Sequence, residues 1–473
     1  MLPSLSALAN FAIFLTRFDV LLAIGAAITF SVWITGNGRR VVKALWGDLT
    51  PTEASRFAIL GSKFFIIIGA YWALRSIKDA FFNDLVGLEF QPKAKILSLF
   101  VIIPVVLMYT KLVDMVEKHK LFTIICSFYA TLYVGIALFH MANVPAMTSS
   151  LVSWIPGSGL GWFSYVAIES FGGIIVAHFF AFVASTTTTE SAKRGYGLLF
   201  FAGQLGNLIG PTLIVSYLKI IKFSGAFIAV AISIMIVPLI TTVYMHFFPE
   251  ASEANEVAKK PKTSVFEGVR LLSSHGYLMG LAFVAVIYEV IGTILDLQLK
   301  MTARSSGYVG EALGVFMARY AQATASLAIV FALVGTSFFI RRFGVRFCLV
   351  AYPALLGLVV FSARTYPLLA VFFVGMVLVK AFSYALNNPM KEMLYLPTSK
   401  DVKFKVKSII DAFGGKLTKS VGSVVNNAFV GNMGSLVAYG SLFSLGVVGV
   451  WVVIALAVGS AYNKLMARNE IIS

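Results

Sequence analysis

Long apolar segments separated by short polar connections recur along most of the chain. A helix needs about 20 predominantly apolar residues to cross the hydrocarbon core of a bilayer, so segments of this length predict membrane-spanning helices. The pattern predicts twelve main helices, at about 57–80, 94–113, 121–141, 160–186, 196–218, 224–247, 277–298, 311–340, 346–363, 366–387, 404–430 and 436–463. The expected fold class is therefore an all-α integral membrane protein.

A polar stretch divides the predicted helices into two groups of six. Residues 249–276, which include EASEANEVAKKPK, are too few to fold a core and are predicted to be a cytoplasmic linker. The halves are expected at 45–248 and 277–473, and two six-helix halves suggest a pseudo-symmetric, major-facilitator-like bundle. The leader, residues 1–44, has an apolar run at 20–36 but neither a positive n-region nor a clean A-x-A site, so we expect an extra retained membrane helix.

Composition supports the membrane assignment and excludes other classes of protein. The chain is 59% hydrophobic and 12% charged, with a mean hydropathy of +0.87, whereas soluble domains are about 45–50% apolar and about 25% charged. Cys126 and Cys348 lie in apolar runs and the five histidines are scattered, so no disulfide framework, metal site or cofactor is predicted. GGKLTKS at 414–420 lacks the glycine that precedes the lysine of a phosphate-binding loop, and no enzyme is predicted.

The net charge of +17 follows from loop bias. Lys and Arg in one set of alternate loops outnumber those in the other set by about three to one, and the richer side is expected to be cytoplasmic. Both ends of the twelve-helix unit then face the cytoplasm. No basic soluble module is visible, so nucleic acid is not an expected partner.

Seven cations remain inside the predicted helices. A charged side chain near the bilayer centre costs about 2.5–3.5 kcal/mol on insertion scales, so such groups usually face a water-filled path or a partner. The cations are Lys63, Arg75, Lys78, Arg319, Lys380, Lys416 and Lys419, against the acidic residues Glu169, Glu289, Asp296 and Asp411. This surplus of cations suggests an anionic substrate.

Four of these cations lie in pairs, with one pair on a single helix of each half. Arg75 and Lys78 are three residues apart and share a helix face, as do Lys416 and Lys419. Two cationic helices facing one cavity would hold a phosphate chain from both sides. For Lys78 and Lys419, an internal ion pair or a helix-end anchor is the alternative, and Arg75 could instead bind a neighbouring carboxylate.

The remaining charged and amide residues leave more alternatives open. Lys63 could extend towards the membrane interface, Lys380 could do the same or form an ion pair, and Arg319 could line the cavity or pack between helices. Glu169 and Glu289 are candidate partners of the cavity lysines. Asp296 with Lys300 is expected to be a helix-end pair, and Asn207 with Gln204 could bind a base or sugar or join two helices.

Three segments resemble the ATP/ADP translocase family of nucleotide transporters of plastids and obligate intracellular bacteria. They are NNPMKEMLYLPTSKDVKFKVKSIIDAFGGKLTKSVGSVV at 387–425, LRSIKDAFF in the first helix, and PVVLMYTKLVDMVEKHKLF after the second. The resemblance runs from about 45 to 465 and implies a twelve-helix major-facilitator-like fold. It also implies functional positions at Lys78, Glu169, Glu289 and Lys419, although the Trp and Lys-rich run that the family carries after this glutamate is absent here.

The activity implied by the resemblance is counter-exchange of ATP for ADP and phosphate. Together with the cationic helices it predicts a transporter that alternates access to a cavity near the midplane. Proton-coupled import of nucleotides or another phosphorylated metabolite, with Glu169 or Glu289 as proton carrier, is the second hypothesis. A non-transporting scaffold or lipid-handling protein is the third. The expected partners are nucleotide and lipid bilayer, the expected state is a monomer, and the lack of an Arg- and Ser-rich transit segment favours a bacterial inner membrane.

Overall fold

The computed structural model describes residues 50–142, 156–187, 189–249, 265–334, 336–399, 402, 406–407, 410, 414–468 and 470–472. These residues are almost entirely helical, and their β-structure is confined to one isolated bridge between Thr398 and Ile472. The predicted leader at 1–44 and most of the predicted linker, 250–264, lie outside the described residues.

Five long helices form the first half of the bundle. They are α1 (Pro51–Leu85), α2 (Gln91–Met115), α3 (Lys118–Met141), α4 (Gly159–Thr186) and α5 (Thr189–Phe247). α1 begins earlier than its apolar run because Thr50 and Glu53 form a reciprocal capping box and Pro51 occupies the first turn. α5 contains two predicted spans, which meet at Lys222, where φ is 61° and the helical geometry is interrupted.

The second half contains the remaining helices. They are α6 (Val265–Ser274), α7 (Gly276–Val286), α8 (Tyr288–Ser305), α9 (Gly310–Val334), α10 (Thr336–Thr365), α11 (Leu369–Phe382), α12 (Asn388–Met393), α13 (Gly415–Phe429) and α14 (Met433–Arg468). The span predicted at 277–298 is in fact divided between α7 and α8, and it extends to Ser305. α10 is interrupted at Gly344, where φ is 76°.

Eight helical stretches among the described residues are long and apolar enough to cross a membrane. One of them, Leu198–Phe247, covers two predicted spans. α13, which carries Lys416 and Lys419, is not among these stretches, because its 15 residues are too few to cross the bilayer. The prediction of an all-α membrane protein is confirmed.

Small residues allow α1 and α5 to approach backbone to backbone. A Cβ on Gly206 would overlap the Phe65 carbonyl oxygen, and one on Gly210 would overlap the Gly69 carbonyl oxygen. Close contact through small residues is the usual means by which membrane helices associate. α1, which carries Arg75 and Lys78, is therefore held rigidly within its half.

We expect Gly210→Val to lower the free energy of unfolding by about 1–3 kcal/mol, because its side chain would force α1 and α5 apart. Thermal unfolding of the purified protein measures this as a fall in Tm. Gly135→Val is the matched control, since a Cβ there meets no atom within 4 Å. Equal Tm values for the two variants would contradict the proposed helix contact.

Lys63 lies in the core of the first half, so the expectation that it could extend to the membrane interface is wrong. Its side chain is fully buried, with Nζ 3.0 Å from the centroid of the Phe122 ring and 4.2 Å from that of Phe182. The ammonium position is thus enclosed by aromatic rings of α3 and α4.

Polar contacts join the two halves at the end of the bundle where α1 ends and α2 begins, here called the α1–α2 end. Arg304 on α8 contacts Glu89 at 2.7 Å, and the Gly310 amide donates to Asp84 at 3.2 Å. Gln322 on α9 donates to Thr212 on α5 at 2.9 Å. These contacts bring the two halves together around a cavity.

Candidate functional site

A cavity of about 280 Å³ lies between the two halves. Side chains from α1, α2, α4, α8, α9, α11 and α13 line it, so both halves contribute. Its charged lining residues are Arg75, Lys78, Asp79, Lys95, Glu169, Glu289, Asp296, Lys300, Lys380, Lys416 and Lys419. Among the described residues, seven cations therefore face four carboxylates in one enclosed space.

Lys78 on α1 is paired with Glu169 on α4. The Lys78 ammonium donates to the Glu169 carboxylate, and its Nζ lies 4.2 Å from the centroid of the Tyr165 ring. Lys78 is only 5% exposed, whereas Glu169 is 30% exposed and reaches the open cavity. The pair thus keeps this buried charge compensated, as a buried ammonium requires.

Arg75, one turn before Lys78, contacts uncharged side chains and, within the described ranges, forms no ion pair. Its guanidinium donates to the Tyr71 hydroxyl at 2.9 Å and lies 5.2 Å from the Trp72 ring. Tyr71 packs directly against Gly172 of α4, where any Cβ would overlap the ring. Tyr71 is therefore fixed between α1 and α4, and it orients Arg75 towards the cavity.

The second half contains a looser equivalent of the Lys78 pair. Lys419 on α13 lies 3.6 Å from Glu289 on α8, and both side chains are partly exposed to the cavity. Gly422 permits the close approach of α13 to the Val290 carbonyl, and Asn426 donates to the Thr293 carbonyl at 3.0 Å. Asp411, the other predicted acidic residue of this region, lies outside the described residues.

Four further charged residues close the cavity towards the α1–α2 end. Lys300 contacts Asp79 and Asp296, each at 2.6 Å, and Lys95 contacts Asp296 at 3.0 Å. Gln91 donates to the other Asp79 oxygen. Because Asp79 and Lys95 belong to the first half and Asp296 and Lys300 to the second, these ion pairs hold the halves together.

Sequence reasoning missed this closure. It did not select Lys95 as a site residue, and it ended the predicted helix at 298 and interpreted Asp296 with Lys300 as a helix-end pair, but α8 continues to Ser305. The helical spacing of Asp296 and Lys300, four residues apart, was a signal that α8 extends further.

Two predicted site residues lie outside the cavity. Arg319 is exposed, on a face of α9 turned away from the cavity-lining Met317 and Ala321, because two residues along a helix rotate a side chain by about 200°. Asn207 is buried and donates to Gln204 at 3.4 Å, so it packs within the first half. Lys380, in contrast, does line the cavity, with its Nζ 5.3 Å from the Tyr288 ring centroid.

The arrangement can bind an anion from both sides. An anion entering between the halves meets an excess of three positive charges, and it can compete with Glu169 and Glu289 for their lysines. Charge-assisted hydrogen bonds of this kind are roughly twice as strong as neutral ones. Within the described residues no group of His, Cys, Asp and Glu is arranged to hold a metal ion.

Comparison with known proteins gives consistent matches along most of the chain. A family model described as TLC ATP/ADP transporter matches residues 37–462. The ADP,ATP carrier protein 2, chloroplastic, of Arabidopsis thaliana is 24% identical, over 89% of this chain and 76% of its own. The ADP,ATP carrier protein 1 of Rickettsia prowazekii (strain Madrid E) is 22% identical, over 90% of this chain and 97% of its own.

Solved transporter structures share the fold. A bacterial homologue of the iron transporter ferroportin in an inward-facing state superposes with a TM-score of 0.61 at 11% identity, covering 86% of this chain and 99% of the other. The nucleoside transporter NupG gives a TM-score of 0.55 at 12% identity, covering 86% and 99%. The predicted major-facilitator-like architecture is confirmed by these likenesses.

Proposed function

This chain belongs to the TLC ATP/ADP transporter family, and we propose that it exchanges ATP for ADP, with phosphate, across a membrane by alternating access. The observation that supports this most directly is the cavity between the halves, where seven cations face four carboxylates. Among common metabolites, those with phosphate chains carry the negative charge that matches this positive surplus. Both matched carrier proteins are named for ADP and ATP.

The two glutamate–lysine pairs provide the binding step. Lys78 and Lys419 are compensated within the protein by Glu169 and Glu289. A nucleotide phosphate replaces each carboxylate as the partner, so the lysines remain paired when the substrate is bound. An empty carrier re-forms the internal pairs and switches poorly between its two states, which makes exchange obligatory.

The closed α1–α2 end gives the direction in which the cavity opens. The distribution of Lys and Arg predicts that this end is extracytoplasmic, so the ion pairs of Lys95 and Lys300 seal the outside and the cavity faces the cytoplasm. We propose a monomeric protein of a bacterial inner membrane, with both ends of the twelve-helix unit cytoplasmic. Neither a cofactor nor a catalysed reaction is needed for this cycle.

Uptake into proteoliposomes tests the proposal. Labelled ATP should enter vesicles loaded with ADP at least about tenfold faster than empty vesicles, since counter-substrate is needed to return the carrier. Vesicles loaded with a neutral nucleoside are the control for osmotic and surface effects. Equal uptake with and without internal ADP would contradict obligatory exchange.

The same vesicles separate the alternatives. Proton-coupled import of nucleotides or another phosphorylated metabolite would give uptake that follows an imposed pH gradient without internal substrate. The pairing of both glutamates with lysines favours exchange, because a proton carrier must be free to take up and release its proton. A scaffold or lipid-handling protein would transport no nucleotide under either condition.

A further inference from the structure

The cations that line the cavity fall into two groups. Lys78, Lys95, Lys300 and Lys419 each lie within 4.0 Å of a carboxylate. Within the described part of the chain, the other three, Arg75, Lys380 and Lys416, have no carboxylate within that distance. These three residues, here called the unpaired set, account for the excess of three positive charges over the four carboxylates.

Two members of the unpaired set are held in place by uncharged neighbours. Arg75 bonds to the Tyr71 hydroxyl and lies beside Trp72, and the Lys380 ammonium lies 5.3 Å from the Tyr288 ring centroid. Lys416 occupies the first turn of α13 and is half-buried. Aromatic faces and hydroxyls orient a cation without occupying it as a counter-ion does, so Arg75 and Lys380 stay available to an anionic ligand.

The three residues belong to different helices that surround the cavity. Arg75 comes from α1, Lys380 from α11 and Lys416 from α13, so both halves contribute. An anion can approach them without breaking an existing ion pair, whereas binding to Lys78 or Lys419 requires displacement of a glutamate. Separating a buried ion pair without replacing it is costly.

We propose that the unpaired set is the part of the cavity that binds phosphates first and selects the charge of the nucleotide. This inference rests on the proposed function and names its selectivity residues. Three uncompensated charges favour nucleotides with three or four negative charges over monophosphates. Once the phosphates are held there, they displace Glu169 and Glu289 as the partners of Lys78 and Lys419.

Binding measurements on the purified full-length protein test this assignment. We expect Lys380→Gln and Lys416→Gln each to weaken ATP binding about tenfold or more, because a close charge-assisted contact is lost. AMP, which has fewer charges, should lose less affinity, so the ratio of AMP to ATP Kd values should fall. Stabilisation in thermal unfolding, titrated with AMP, ADP and ATP, gives the Kd values.

Lys219→Gln is the matched control, since Lys219 is an exposed helical cation outside the cavity. It should leave all three Kd values unchanged. An unaltered ratio of AMP to ATP Kd values in both Lys380→Gln and Lys416→Gln would overturn the assignment. So would an equal change in the ratio for Lys219→Gln.

Inorganic tripolyphosphate separates this inference from the proposed function. If the wild-type protein is stabilised by tripolyphosphate but by no nucleotide, and the stabilisation is lost in Lys380→Gln and Lys416→Gln, the unpaired set stands and nucleotide exchange fails. If the wild-type protein responds to neither tripolyphosphate nor nucleotide, the unpaired set is not an anion site.

Discussion

Replacing Lys78 by alanine should lower ATP/ADP exchange by at least about 100-fold, because removal of one partner of a buried ion pair costs about 3–5 kcal/mol. Lys78 is 5% exposed, and its ammonium contacts Glu169 and lies 3.9 Å from Asp79. Without it, the cavity loses a phosphate ligand and Glu169 loses its partner. Exchange of labelled ATP in ADP-loaded proteoliposomes is the measurement.

Two controls separate lost binding from lost folding. The double variant Lys78→Met with Glu169→Gln removes both charges together, so it should recover most of the Tm lost by Lys78→Ala while remaining inactive in exchange. Lys120→Ala, at a surface lysine that is 63% exposed, should exchange normally. Substantial exchange by Lys78→Ala would show that Lys78 does not bind the phosphates.

Replacing Lys300 by methionine should open the α1–α2 end of the cavity. Lys300 is 3% exposed and is shared by Asp79 and Asp296, so its loss leaves two carboxylates of opposite halves facing each other. Repulsion between these carboxylates, added to a loss of about 3–5 kcal/mol, should shift the conformational equilibrium by about 100-fold or more towards a state that is open at the α1–α2 end. Obligatory exchange should weaken at the same time.

A cysteine at Ser98, which lines the cavity, reports this opening in a background that lacks Cys126 and Cys348. A membrane-impermeant thiol reagent added on the side of the α1–α2 end should label this cysteine much faster in Lys300→Met than in the parent. Arg304→Met is the matched control, because the ion pair of Arg304 with Glu89 also joins the halves, but each of the two side chains is 39% exposed. Exposed pairs contribute only about 0–1 kcal/mol, so its effect should be small. Equal labelling of Lys300→Met and its parent would contradict a seal at this position.

The charged residues show how far sequence reasoning reaches. The cost of a charge in lipid was enough to select Lys78, Glu169, Glu289 and Lys419, and the cavity contains all four. The same reasoning selected Arg319, which faces away from the cavity, since the insertion cost alone does not give the direction of a side chain. It also left Lys300 beyond the end of the helix predicted at 277–298, because helix ends drawn from hydropathy stop at the first charged residues.

The sequence by itself determined that this is a polytopic helical membrane protein with two halves and a surplus of intramembrane cations. Hydropathy and helical spacing are local properties, and each can be evaluated within about 20 residues. Only the tertiary structure decided which charges meet. Lys78 and Glu169 are 91 positions apart in the chain, and Lys95 and Asp296 are 201 apart. Which cations remain unpaired depends on such long-range contacts, because an ion pair forms only where helix packing brings opposite charges within a few ångströms.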